Sequence, residues 1–192
     1  HPGDGGSNPE VHVGYLPDAA DHPTALDHAL DLLGSAKDQL RIPVIASVQG
    51  PCFGAAVDLV LAVDVVVAAR SARFQVPAAK LGLLYNPAAI ARLHGRVPSA
   101  MLRLLLLGVS IDADAAVAGG LIASSVADDE LASVTADIAA QVSAGHPEAV
   151  RATKALIGAL DAGAVDLDDW QAWRLRLLDS DERRAAITQR HQ

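Results

Sequence analysis

The stretch Pro43-Val44-Ile45-Ala46-Ser47-Val48-Gln49-Gly50-Pro51-Cys52-Phe53-Gly54-Ala55-Ala56-Val57-Asp58-Leu59 decides how this 192-residue chain folds. Residues 43–48 form a short, nearly continuous apolar run rich in β-branching, the pattern of a strand covered on both faces of its sheet. Gln49-Gly50-Pro51 ends that run, and residues 54–62 are an apolar helical stretch broken by one charge, Asp58. Asp64-Val65-Val66-Val67-Ala68-Ala69 then reads as a second buried strand. Strand, turn, buried helix and strand in that order make a βαβ unit, so the fold class is α/β.

Working outward, Pro23 sits where a first helical turn begins, and Leu26, Leu30, Leu33 and Leu40 recur at helical spacing, predicting an amphipathic helix over 24–40. The chain before it opens on His1 rather than Met and runs through Pro2-Gly3-Asp4-Gly5-Gly6-Ser7-Asn8-Pro9 without a hydrophobic period. Such a start is expected of a mobile loop or of a piece whose natural N-terminal part lies outside this sequence. Downstream, residues 74–77 read as a turn, Asn86-Pro87 opens a helix, and from Pro98 almost everything is helical. Helices are predicted over 99–107, from Ile111 to the stop at Gly119-Gly120 with Asp112 as N-cap, over 128–145, 147–160 and 166–190. A short strand is predicted over 121–126. No internal repeat occurs.

About half of the residues are apolar and 3% are aromatic, so close packing through Ala, Val and Leu is expected around one core. A formal net charge of -8 argues against a nucleic-acid surface. The single cysteine, Cys52, excludes an intrachain disulfide and fits a reducing, cytoplasmic compartment. Apolar runs such as 57–63 and 104–109 are too short to span a bilayer. The 7 histidines are scattered without ligand spacing, and no metal site is expected.

Chemistry concentrates at residues 49–59. A glycine-bearing turn meets the free amides of a helix start, small residues at 54–56 let a ligand approach the backbone, and Asp58 lies in the apolar helix behind. Backbone donors aimed at a thioester oxygen stabilise an enolate, and one lost oxyanion donor typically costs about 3 to 4 kcal/mol. The bland alternative is that Asp58 caps a turn or pairs with an arginine. Cys52 reads as a buried thiol, with a place in the wall of an acyl pocket as the alternative. Lys154 and the arginines 174, 176, 183 and 184 suit either phosphates or a solvated face. Trp170 and Trp173, on one helix face, read as packing or interface residues.

The run from Pro43 to Gly50, with Gly54-Ala55-Ala56-Val57-Asp58-Leu59, resembles the PVIAAVNG...GGGxEL core of the enoyl-CoA hydratase/isomerase (crotonase) superfamily. Phe74 through Gly82 resembles its FxxPExxLG turn, 110–116 its xISAxEA helix, Gly120-Leu121-Ile122 its GLV strand, and 147–156 and 179–190 its last two helices. The resemblance covers residues 24–190. It implies a crotonase fold of stacked βαβ units, with a core over 1–126 that is incomplete at its N-terminus and a helical trimerisation region over 127–192. It also implies a homotrimer or dimer of trimers, an acyl-CoA ligand of fatty-acid metabolism, and no cofactor beyond the coenzyme A of the substrate.

Residue by residue, the resemblance makes Ala55 one oxyanion donor, the other belonging to an earlier segment. Asp58 stands in place of the first family glutamate, as the catalytic acid or base. Ala78 stands in place of the second, so hydration by two carboxylates lacks a partner. Gly54, Pro77 and Ala78 are expected against the substrate. Residues 74–86 also resemble the FxxTPxxLGxPYN stretch of methylmalonyl-CoA decarboxylase-like members, with Tyr85 matching their active-site tyrosine. The expectation is therefore a lyase or isomerase acting on an acyl-CoA thioester. The alternatives are a non-catalytic acyl-CoA-binding protein and a decarboxylase of a malonyl-type thioester.

Overall fold

A computed structural model of the chain describes residues 40–163, 165–181 and 183–184. The helix predicted over 24–40 lies, but for Leu40, outside the described residues. Strands β1 (Ile45–Val48), β3 (Val65–Ala69) and β6 (Ser124–Val126) form one parallel sheet in the order β1-β3-β6. Strands β2 (Pro51–Phe53), β4 (Arg73–Gln75) and β5 (Ile111–Asp112) form a second, with β2 parallel and β5 antiparallel to β4. The chain steps from the first sheet to the second through Gln49-Gly50 and again through residues 70–72. Gly50 makes the first step at φ 75°, a conformation that favours glycine, and its carbonyl accepts the Arg73 amide at 3.1 Å.

Strand β3 explains why the apolar runs do not alternate. Val66 and Ala68 pack into the main core, whereas Val67 and Ala69 face Leu131, Val134 and Ile138 of α5 (Leu131–Ser143) on the other side. Both faces of the sheet are covered, so both parities are apolar. The main core lies between the two sheets and α1 (Ala55–Leu61), α2 (Pro87–His94), α3 (Ser99–Leu106) and α4 (Ala113–Ala118). Across the second sheet, Cys52 is in register with Phe74 and Phe74 with Ile111, and all three side chains are buried. Helices α6 (Pro147–Asp161) and α7 (Leu167–Leu178) follow, and His146 and Asp166 cap their starts.

Three readings of the sequence are corrected. Pro51, read as part of the turn that ends the first run, opens β2, and Phe74-Gln75, read as the start of a turn, belong to β4. These strands are three residues long, below the length at which alternation can be read, and their pairing partner is 22 positions away in the chain, as in Cys52 with Phe74. Pro51 sits at the first position of an edge strand, where a missing amide is tolerated. The strand predicted over 121–126 is confined to Ser124–Val126. Asp112 is the N-cap as expected, its carboxylate accepting the Ala115 amide at 2.8 Å. Among the described residues no helix is long and apolar enough to cross a membrane.

The short helix α1 is held at both ends. Its entry residue Gly54 donates its amide to Gln75 O at 2.8 Å. Beyond its other end the Arg96 guanidinium donates to the carbonyls of Leu61, Ala62 and Val63 at 3.0, 2.9 and 2.9 Å, which the ending helix cannot satisfy itself. Arg96→Met is expected to lower unfolding free energy by about 2 to 3 kcal/mol, read from the urea midpoint at constant m-value. Arg96→Lys recovers only part of it, because an ammonium lacks the planar fork.

Candidate active site

Gly54 turns the chain from β2 into α1 at φ 59°, ψ -125°, again a backbone that favours glycine. Its carbonyl accepts the Val57 amide at 3.0 Å and the Tyr85 hydroxyl at 3.4 Å. The next two amides, of Ala55 and Ala56, belong to the first turn of α1, where a helix offers no earlier carbonyl to receive them. The turn thus presents backbone donors beside small side chains, and Tyr85 is brought against it across 31 positions of sequence.

The loop that carries Tyr85 there begins at β4. Pro77 precedes a single 3-10 turn (Ala78–Leu81), whose carbonyl at Ala78 accepts the Leu83 amide at 2.9 Å. Asn86 then caps α2, accepting the Ala88 amide at 2.9 Å, with Pro87 in the first helical position. Ala78, Tyr85 and Ala56 all pack against the same core. Gln75 fixes the loop from the other side by donating to Gly108 O at 2.7 Å.

Asp58 lies one turn beyond Gly54 on α1 and is 3% exposed, the one charged residue buried among those described. Arg92 of α2 donates to its Oδ2 at 2.7 Å. The pair lines a cavity of about 350 Å³ that is also bounded by Leu61, Arg96, Gly158 and Asp161, and that Gly54, Ala55, Pro77, Ala78 and Tyr85 do not line. The structure therefore joins Gly54, Ala55 and Tyr85, while the Asp58 carboxylate is engaged from α2. The pairing of an acid with an arginine was open in the sequence; that the arginine is Arg92 was not, because 34 positions separate the two.

Other candidates have structural duties. Lys154 holds Asp64 at 2.9 Å and donates to Ile42 O at 2.6 Å, tying α6 to the start of β1. Arg184 pairs with Asp181 at 3.1 Å, and Arg183 donates to Leu178 O at 3.2 Å. Trp170 and Trp173 stack at 5.4 Å beside α6. Burial pushes the Cys52 thiol up to about 12, so it stays protonated at neutral pH. Cys52 is expected to resist a thiol-reactive disulfide reagent at about pH 8 and to react only on unfolding, which absorbance of the released thiolate follows.

Two stacked sheets entered by repeated strand-to-strand steps, with a glycine turn feeding a short buried helix, define a crotonase-fold protein. The sequence model of the enoyl-CoA hydratase/isomerase family matches residues 17–165, and the chain belongs to that family. A carnitinyl-CoA dehydratase of Citrobacter koseri is 34% identical over 113 residues, which are 58% of this chain and 43% of that protein. The chain thus spans less than half the length of the curated relatives it matches. The crystal structure of an enoyl-CoA hydratase/isomerase family protein from Hyphomonas neptunium superposes with a TM-score of 0.75 at 29% identity, covering 91% of this chain and 68% of that one. Methylmalonyl-CoA decarboxylase in complex with 2-nitronate-propionyl-CoA superposes with a TM-score of 0.68 at 25% identity, covering 83% and 63%.

Proposed function

We propose that this protein binds an acyl-CoA thioester, receives the thioester oxygen at the Ala55 amide, and uses Asp58 as a carboxylate base at the α-carbon. The observation that carries this reading is the placement of a buried carboxylate one helical turn behind a small-residue turn with first-turn amides. Taking the α-proton onto Asp58 moves the C–H electron pair into the enolate, which the amide stabilises. The enolate then either expels a β-hydroxyl, which takes the proton from Asp58 and leaves as water, as in dehydration, or takes that proton back from Asp58 at the γ-carbon, as in isomerisation. Ala78 supplies no second acid, so hydration by two carboxylates is disfavoured. Gly54, Pro77 and Ala78 line the acyl side of this site, and Tyr85 braces the turn through the Gly54 carbonyl. Family membership and relatives named for a dehydratase of CoA thioesters support the ligand class.

The test is calorimetric titration of short and long acyl-CoA into the full-length protein in D2O, with mass spectrometry of each thioester. Binding with α-deuteration or conversion is expected. Binding without either points to a non-catalytic acyl-CoA-binding protein, the more so if Ala78→Glu then creates hydratase activity at unchanged affinity. Failure to bind any acyl-CoA overturns the proposal.

A second reading is decarboxylation of a malonyl-type thioester, favoured by Tyr85 at the glycine turn and by likeness to a decarboxylase. That reaction needs carboxylate orientation and enolate stabilisation more than a base. Release of carbon dioxide from methylmalonyl-CoA decides it. The protein is further proposed to work in the cytosol with no cofactor of its own. It is proposed to act as a trimer or dimer of trimers through the helical region over 127–192, where Ile157, Leu160 and Leu167 are more than half exposed in the single chain. Sedimentation at micromolar concentration reads the assembly.

A further inference from the structure

Outside the glycine turn, four charged side chains meet around the cavity behind α1. Asp58 of α1 meets Arg92 of α2 at 2.7 Å, and Arg96, just past α2, meets Asp161 of α6 at 3.7 Å. Asp58 and Arg92 face each other across α1 and α2, and Arg96 is committed to the α1 carbonyls. Cys52, on β2 beneath α1, is a protonated thiol and brings no charge. The Asp58 side chain is 4% exposed and that of Arg92 is 31% exposed, so the acid is shut in while its partner reaches water.

We infer that Arg92 is a positioning residue for the reaction: its guanidinium orients the Asp58 carboxylate and keeps it ionised, so that Asp58 enters the reaction as a base. This deepens the functional reading above and rests on it. A hydrogen bond from a cation favours the charged form of a carboxylate, and burial without that cation favours the neutral form. With Arg92 in place Asp58 can accept an α-proton, and the cation stabilises only the state before transfer. That is the arrangement of a base that must release its proton again, and it is unsuited to an acid that must hold a proton in advance. Asp161 lies on the far side of Arg96 and counters that second cation.

The sign of the pH dependence follows. Removing Arg92 lets Asp58 keep its proton to higher pH, so fewer molecules carry the active base at neutral pH, and the acid limb of the rate profile moves upward. Each unit of that movement is about a tenfold loss of rate on the limb. The experiment follows α-proton exchange of a bound acyl-CoA in D2O against pH for the wild-type protein, Arg92→Met, Arg92→Lys and the exposed-site control Arg103→Met. In parallel, the carboxyl carbon of Asp58 is titrated by NMR in protein labelled with carboxyl-¹³C aspartate and assigned with Asp58→Asn. We expect Arg92→Met to lose about tenfold or more at neutral pH. We expect it to recover toward the wild-type plateau at high pH, to keep the acyl-CoA KM within about twofold, and to move the Asp58 resonance the same way as the rate. Arg92→Lys should restore most of the loss.

An unmoved profile, or a loss that falls in KM, overturns the inference. Arg92→Lys retains the charge and guards against a methionine variant that does not fold; a lysine variant that folds yet behaves like a full loss at every pH also overturns it. A wild-type protein that binds acyl-CoA but exchanges no proton overturns the base reading of Asp58 itself. That failure is told apart because the Asp58 resonance then still moves with Arg92 while no rate exists to follow it.

Discussion

Asp58→Asn is expected to lower the rate of α-proton removal from a bound acyl-CoA by about 10² to 10⁴, the range that a positioned general base supplies. That corresponds to about 3 to 5 kcal/mol of barrier. Asparagine keeps the length and shape of the side chain, and its amide oxygen can still accept the hydrogen bond that Arg92 makes at 2.7 Å. What it cannot do is take up a proton. The loss therefore belongs in kcat, with KM and acyl-CoA affinity nearly unchanged, because the Ala55 amide and the walls of the acyl site are untouched. Stopped-flow exchange and calorimetry together check it. If Asp58 merely neutralised Arg92, exchange would persist at the wild-type rate while thermal stability fell.

Phe74→Ala is expected to destabilise the folded protein by about 3 to 5 kcal/mol, read from the urea midpoint. Phe74 is 0% exposed and sits in the middle strand of the second sheet, in register with Cys52 on one side and Ile111 on the other. A sheet held by parallel and antiparallel partners cannot easily collapse into the gap. Typical domains unfold at 5 to 15 kcal/mol, so about a third of the total would be lost. Phe53, on β2 of the same sheet, is 39% exposed and has the opposite parity. Its replacement by alanine in the single chain should cost less than about 1 kcal/mol. The contrast between the two phenylalanines tests the register of the second sheet, because a slip of β2 by one residue would turn Phe53 into the core in place of Cys52.

Much of this architecture could be read from one sequence. The runs at 43–48 and 64–69 are long and β-branched enough to announce buried strands, and β1 and β3 pair in parallel. Asp112, Pro147 and Asp166 marked helix starts because caps act over three or four residues, within the reach of local pattern. The second sheet was not legible. Its strands are two or three residues long, and what makes them strands is each other, across separations that no local window contains. The same limit applies at the site. Gly54, Ala55 and Asp58 are neighbours along one turn and a helix, so their grouping was visible in order of sequence. That Tyr85 rests on the Gly54 carbonyl, that Arg92 takes the Asp58 carboxylate, and that Lys154 is engaged by Asp64 became visible once the chain was folded.

By itself, then, the sequence determined the family, the βαβ order and the residues of the glycine turn, because each is written in contacts between near neighbours and in the period of apolar side chains. The tertiary structure alone decided which charges meet. Partners for a buried charge come from distant segments, and the free energy of an ion pair depends on the few ångströms and the loss of water that folding imposes.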